Sequence, residues 1–180
     1  MRLRRAKLEE RRKTYEWSLN IVSQDACSGW PEGPKHSYAE FKEDFEDFFY
    51  MENGRTKGGV MIIEEAGEEL GCVCYTCFHL KKGMAELDIW LKDAAHCGLG
   101  YGAQAISLLV EYLKNELNIH RLIIRPKAEN VRAIRAYEKA GFRRVDDAQA
   151  VISEYLKPEY TEVYGNENKD IPDTLLLVLI

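Results

Sequence analysis

Three glycines and a few polar side chains between residues 88 and 142 form the part of this chain equipped for chemistry. The run Ala95-His96-Cys97-Gly98-Leu99-Gly100-Tyr101-Gly102-Ala103 stands between two patterned segments. Before it, AELDIWLK alternates as a strand does. After it, Ile106, Leu109, Leu113 and Leu117 recur at spacings of three and four, the mark of an amphipathic helix. Glycines let a turn approach a ligand closely and take positive φ angles. The N–H groups that open the helix lack intrahelical partners, and the helix dipole favours an anion there. The chemistry on offer is the seating of a phosphate group on main-chain amides. A dinucleotide fingerprint fits poorly. The spacing is G-x-G-x-G, and the region roughly 20 residues on, KNELNIHRLIIR, puts its acidic Glu116 in a helix rather than at a strand end.

Two further pieces flank the turn. On the strand before it, Glu86, Asp88 and Trp90 point one way and Leu87, Ile89 and Leu91 the other. Downstream, RLIIRPKAENVRAIRAYEKAGFRRV reads as a strand ended by Pro126, a loop, and a helix from Asn130 to Ala140 with Gly141 at the stop position. Helical spacing sets Asn130, Ala133 and Tyr137 on one face. Taken alone, such a tyrosine reads as an aromatic packed on a sheet.

The two motifs together resemble the acetyl-coenzyme A core of the GNAT superfamily of N-acetyltransferases. The resemblance spans residues 64–145 and is sharpest over 88–142. It is similar to the aminoglycoside 6′-N-acetyltransferase branch, where an Asp precedes the glycine turn and the second motif reads NxRAIRxYEKAGF. Acetyltransferases of ribosomal-protein N-termini share much of this pattern. The resemblance implies acetyl-CoA as co-substrate, with contacts from Ile89, Trp90 and Leu91, from the turn residues His96 to Ala103, and from Asn130, Ala133 and Tyr137. It places Asn130 on the pantetheine amides and Tyr137 near the sulfur. Family turns often read Gln or Arg, two variable residues, Gly, one variable residue, then Gly or Ala. Here Cys97 occupies the Gln/Arg position when Gly100 and Gly102 are the paired small residues, which leaves the backbone cradle unchanged. The implied fold is mixed α/β: a mostly antiparallel twisted sheet of about six to seven strands, helices on both faces, and a splay between two adjacent parallel strands.

An alkylammonium has a pKa of roughly 10, so near neutrality only about one amine in a thousand is nucleophilic. Asp88 is the candidate to anchor the ammonium and accept its proton, with Glu86 in reserve. The plainer role for Asp88 is a salt bridge to Lys92 or Arg125. Backbone groups of Ile89 to Leu91 would meet the developing oxyanion, and Tyr137 would protonate the leaving thiolate. Attack is then direct, within a ternary complex, with no covalent enzyme intermediate. The expected acceptor is a small cationic amine. Two alternatives stay open: acetylation of protein N-termini or lysines, with the tyrosine-rich segment 155–164 as one wall of a groove, and a non-catalytic acyl-CoA-binding module.

The rest of the chain bounds these readings. At 180 residues it is expected to form one domain over 1–180. A net charge of −5 argues against a nucleic-acid partner. The opening MRLRRAKLEERRK has no apolar run behind it, and the longest apolar stretch, 175–180, is too short to cross a bilayer. A cytoplasmic location is expected, as a monomer or homodimer. Cys27, Cys72, Cys74, Cys77 and Cys97 read as free thiols. Cys72 and Cys74 would share one side of a strand and Cys77 the other, so no metal is expected. Ser37 is expected to cap a helix running to about Met51, its Phe41, Phe45, Phe48 and Phe49 on one stripe, with acidic residues from Glu40 to Asp47 as a solvated face or a rim for a cationic acceptor. GVMIIEE and GCVCYTCFHL should pair as a hairpin across AGEEL. The final TLLLVLI reads as a buried strand, placed at a sheet edge where it would pair between subunits.

Overall fold

The computed structural model describes residues 1–19, 37–128, 130–164 and 177–179. Cys27 lies outside the described residues. One sheet of seven strands contains β1 (Arg2–Arg5), β2 (Gly58–Glu65), β3 (Glu68–Thr76), β4 (Met84–Leu91), β5 (Arg121–Ile124), β6 (Arg143–Arg144) and β7 (Leu177–Leu179), in the order β1-β2-β3-β4-β5-β7-β6. Every neighbouring pair is antiparallel except β4 and β5, which run parallel.

Alternation along the strands feeds a core on each face. On one side, Val73, Leu87 and Leu122 pack under the long helix that starts at Tyr101, through its Ile106, Leu109 and Leu113. On the other, Ile62, Cys72, Cys74 and Trp90 meet α1 (Arg11–Ser18) and α2 (Tyr38–Asp44) through Tyr15 and Phe41. The long helix is α3 (Tyr101–Leu117), and α4 (Val131–Lys139) lies on the same side as α3. A third, smaller cluster joins α5 (Ala148–Tyr155) to Leu80, Met84 and Ile123. Segment 158–164 continues as a 3-10 turn and the short α6 (Thr161–Tyr164).

The structure revises three local expectations. The capping box of Ser37 and Glu40 is present, but α2 stops at Asp44 and a separate 3-10 turn covers Asp47–Tyr50. The break lets both Phe49 and Tyr50 be buried, with the Tyr50 hydroxyl 2.8 Å from Thr14 Oγ1. Burial of two more aromatics outranks helix continuity. The β2–β3 connection is only Ala66-Gly67, both at positive φ, because Glu69 stays extended to meet Arg4 and Lys13, and Leu70 is buried. Finally, β7 is no edge strand. It pairs with β5 on one side and β6 on the other, leaving β1 and β6 at the margins.

Cys72 and Cys74 sit in one core and Cys77 in the opposite one. Among the described residues no three His, Cys, Asp or Glu side chains are grouped to hold a metal, and no helix is long and apolar enough to cross a membrane.

Candidate active site

β4 and β5 stay paired only as far as Leu87 and Ile124. Beyond Ile124 the chain reaches Pro126, which cannot donate to a ladder. β4 runs on through Asp88 to Leu91, still paired to β3 through Cys74↔Asp88 and Gly71↔Leu91. Its other backbone edge therefore faces open space, and that is where the sheet splays.

A cleft of about 390 Å³ opens there. Ile89 and Leu91 form its floor, and Cys97, Gly98, Gly100, Gly102 and Ala103 one wall. Gly98 and Gly100 hold φ of 79° and 88°, and Gly100 caps α3. A β-carbon at Gly98 would meet nothing within 4 Å, so glycine is required there by backbone angle rather than by space. The preceding 3-10 turn is fixed by Asp93, whose carboxylate accepts from the N–H groups of Ala95 (2.9 Å) and His96 (3.3 Å) and lies 2.6 Å from His96 Nδ1. The second wall is α4. Asn130 caps it, with Oδ1 accepting from the Ala133 N–H at 3.0 Å, and Asn130, Ala133 and the buried Tyr137 line the cleft.

Some of the expected contacts sit elsewhere. Trp90 is buried on the far face, edge-on to Phe45 at 5.3 Å. His96 faces acids, with Nε2 3.6 Å from Glu68. Leu99 and Tyr101 flank the turn, and Leu99 is 61% exposed. Conversely, Val131, Arg132, Arg135, Ala136 and Lys139 line the cleft without having been anticipated. The spacing of three and four between Arg132, Arg135 and Lys139 is the signal that would have found them.

Asp88 projects from β4 on the face opposite Ile89 and Leu91, at the point of splay. Its Oδ1 accepts from the Ile89 N–H at 2.7 Å. Water reaches the carboxyl group, but protein atoms crowd round it. That partial loss of hydration, with the negative charge of Glu86 adding to it, pushes Asp88 up to about 7, against the pull of the Ile89 N–H and Arg125. The alternative ion pairs are otherwise engaged: Lys92 bonds Glu68, and Arg125 Nε bonds Glu86 Oε1 at 2.6 Å. Glu86 also sits 3.2 Å from His79 Nε2. Burial pushes Glu86 up, yet Arg125 and His79 together outweigh it and hold the carboxyl at about 2. An aromatic surface adjoins this face. Phe78 stands edge-on to Phe48 (6.1 Å), His79 (5.1 Å) and Tyr160 (5.7 Å).

A splayed parallel pair, a positive-φ turn opening a helix and an ionisable group at the splay are now in place. Residues 1–143 match the model of the acetyltransferase (GNAT) domain. The chain belongs to the GNAT family. Among curated GNAT relatives, aminoglycoside N(6′)-acetyltransferase type 1 of Klebsiella pneumoniae is 40% identical over 62 residues, 34% of this chain and 31% of the relative. The chain thus matches about a third of that relative's length. Spermidine N(1)-acetyltransferase of Vibrio cholerae is 25% identical over 142 residues, 78% of each chain. Two solved structures share the GNAT fold. Aminoglycoside acetyltransferase AAC(6′)-Ib with ribostamycin and coenzyme A superposes with a TM-score of 0.70 at 21% identity, over 98% of this chain and 91% of the other. Spermidine N-acetyltransferase from Vibrio cholerae with CoA and spermine gives 0.69 at 17% identity, over 99% and 94%.

Proposed function

We propose that this chain is an acetyl-CoA-dependent N-acetyltransferase that acetylates a primary amine of a small, cationic molecule, acting as one domain over residues 1–180. One observation carries the reading: the splay of β4 from β5 puts a cofactor-shaped cleft on one face and Asp88 on the other. The cleft fits its ligand in kind. Its turn offers amides for an anionic end, and Ile89, Leu91, Ala103, Ala133 and Ala136 supply an apolar lining for a slender arm. Relatives named for aminoglycosides and spermidine act on polycationic amines, and the Asp88 face with its aromatic border suits such an acceptor. That β7 inserts between β5 and β6 supports a single domain, since the last strand completes the same sheet. Thiols at Cys72, Cys77 and Cys97 suit the cytoplasm.

Acetyl-CoA supplies the activated acyl group. Asp88 holds the incoming ammonium and takes its proton, a task suited to a carboxylate that titrates near neutrality. The Ile89 N–H, bound to Asp88 before reaction, is released as Asp88 turns to the amine, and becomes a donor for the oxyanion. By strand alternation the Leu91 N–H lies on the same open edge. Tyr137, from the opposite wall, gives its hydroxyl proton to the leaving sulfur, and the second proton shed by the nitrogen as the amide forms restores the hydroxyl. Attack is direct, and no group of the chain is acylated.

An acceptor screen tests this. Polyamines, aminoglycosides and a peptide library are incubated with acetyl-CoA and protein, and released thiol is measured. Turnover confined to the amine panel is expected. Turnover on peptides alone moves the acceptor to protein, and cofactor binding without turnover on either leaves a binding module.

A further inference from the structure

A cationic row lines the cleft, and the acyl transfer just described makes no use of it. Arg132, Arg135 and Lys139 occupy successive turns of α4 and all line the cavity. All three are exposed. At 1.5 Å per residue the row is about 10 Å long. Among the described residues none of the three forms an ion pair, whereas Glu138, the acid between them, is bonded to Arg144 at 3.0 Å. A solvated charged helix face usually mixes signs and points away from cavities. This one lines a cavity, and its acid, Glu138, is paired with Arg144.

The glycine turn, by contrast, brings no free side-chain cation to the cleft. Cys97, which lines it, carries no charge-bearing base, and His96 is held by Asp93. Arg132 lies close enough to act on that thiol: burial pushes Cys97 up and the Arg132 charge opposes it. The cation missing from the turn is therefore supplied across the cleft by α4. Beside the row, Val131 lines the cavity and is 51% exposed, an unusual position for a branched apolar side chain. An apolar side chain next to a row of cations suits a purine carrying a phosphate.

On the reading that the cleft takes acetyl-CoA, we infer that Arg132, Arg135 and Lys139 form a second anion subsite, which recognises the ribose 3′-phosphate of the cofactor and makes binding depend on it. The turn amides take the diphosphate. The monoester phosphate is a dianion, and guanidinium groups pair with it in bidentate fashion.

The test is calorimetric, with CoA and 3′-dephospho-CoA as the two probes. Wild-type protein is expected to favour CoA by roughly ten- to a hundredfold, the worth of one charge-assisted hydrogen bond. Arg135→Gln with Lys139→Gln, which leaves Arg132 in place, should sharply reduce that preference while leaving the affinity for 3′-dephospho-CoA unchanged, a result that misfolding cannot imitate. Lys7→Gln, a charge change on the exposed start of the chain, should preserve the preference. Equal affinity of wild type for the two probes overturns this inference and leaves the proposed function standing. A preference undiminished by the double substitution also overturns it. Failure to bind either probe overturns both.

Discussion

Glu86 and Asp88 project from the same face of β4, one alternation apart, yet they are held on opposite sides of neutrality. Glu86 is kept ionised by Arg125 and His79, and Asp88 is left with the Ile89 N–H and a like charge for a neighbour. Two carboxylates whose environments push them apart divide the labour of a site. Glu86 spends its charge fixing Arg125 at the splay. Asp88 keeps a proton affinity useful at neutral pH.

Asp88→Asn is expected to lower turnover by roughly 10²- to 10⁴-fold with little change in acetyl-CoA affinity. Wild-type rate should rise through about pH 7, because the ionised form is the base, and the residual rate of the variant should lack that limb. Stability moves the other way. The folded state holds the Asp88 proton more tightly than an unfolded chain does, where an Asp titrates near roughly 3.9. Wild type therefore loses stability as pH rises from that value to about 7. The Asn variant does not, so it should melt higher above neutrality. Parallel thermal melts across pH 4–8 would remove Asp88 from this account if the two proteins stayed superimposed.

Glu86→Gln removes the like charge beside Asp88 and frees Arg125 to turn towards it. Both changes favour the Asp88 carboxylate, so the acid limb of the pH–rate profile should shift below about 7. Breaking a largely buried pair should also cost about 3 kcal/mol in a urea titration at pH 7. Glu86 is depressed, so its contribution is present above roughly pH 4.3 and fades as pH falls towards about 2. The stability gap between wild type and variant should narrow over that window. An unmoved acid limb would mean that the Glu86 charge is not felt at Asp88.

Tyr137→Phe keeps the ring that packs beside Phe142 and removes only the hydroxyl. Turnover should fall by roughly one to two powers of ten while cofactor affinity holds. A wild-type rate in single-turnover kinetics would leave Tyr137 a packing residue.

What could be read from the sequence was what short spacing dictates. The turn at Gly98 and Gly100, the alternation that separates Asp88 from Ile89, and the α4 face of Asn130, Ala133 and Tyr137 are each set within a few residues. The end of α2 at Asp44 was not legible, because it depends on the distant Thr14 receiving Tyr50. Nor was the place of β7, since its apolar run fits an edge as well as the interior, and only its partners in β5 and β6 decide. The direction of Trp90 followed from alternation, but that it would be lost to the cleft followed only from Phe41 and Phe45 packing over it. The part of Arg132, Arg135 and Lys139 was not legible either, because helical spacing sets them in a row but the distant β4 and glycine turn decide that the row lines a cleft.

Asn130 carries two roles that substitution can separate. Its Oδ1 is committed to the Ala133 N–H as the cap of α4, so a contact with a cofactor carbonyl must come from Nδ2. Asn130→Asp retains a good cap and loses the donor. It should keep the melting temperature near that of wild type while weakening acetyl-CoA binding, the more so because a carboxylate would face the amide carbonyls of the arm. Asn130→Ala loses cap and donor together, and should lower stability by about 1 kcal/mol as well as affinity. Calorimetry beside thermal melts distinguishes the cases. If Asn130→Asp binds acetyl-CoA as wild type does, the side chain serves the helix alone, and the arm must be held by the open edge of β4 at Ile89 and Leu91.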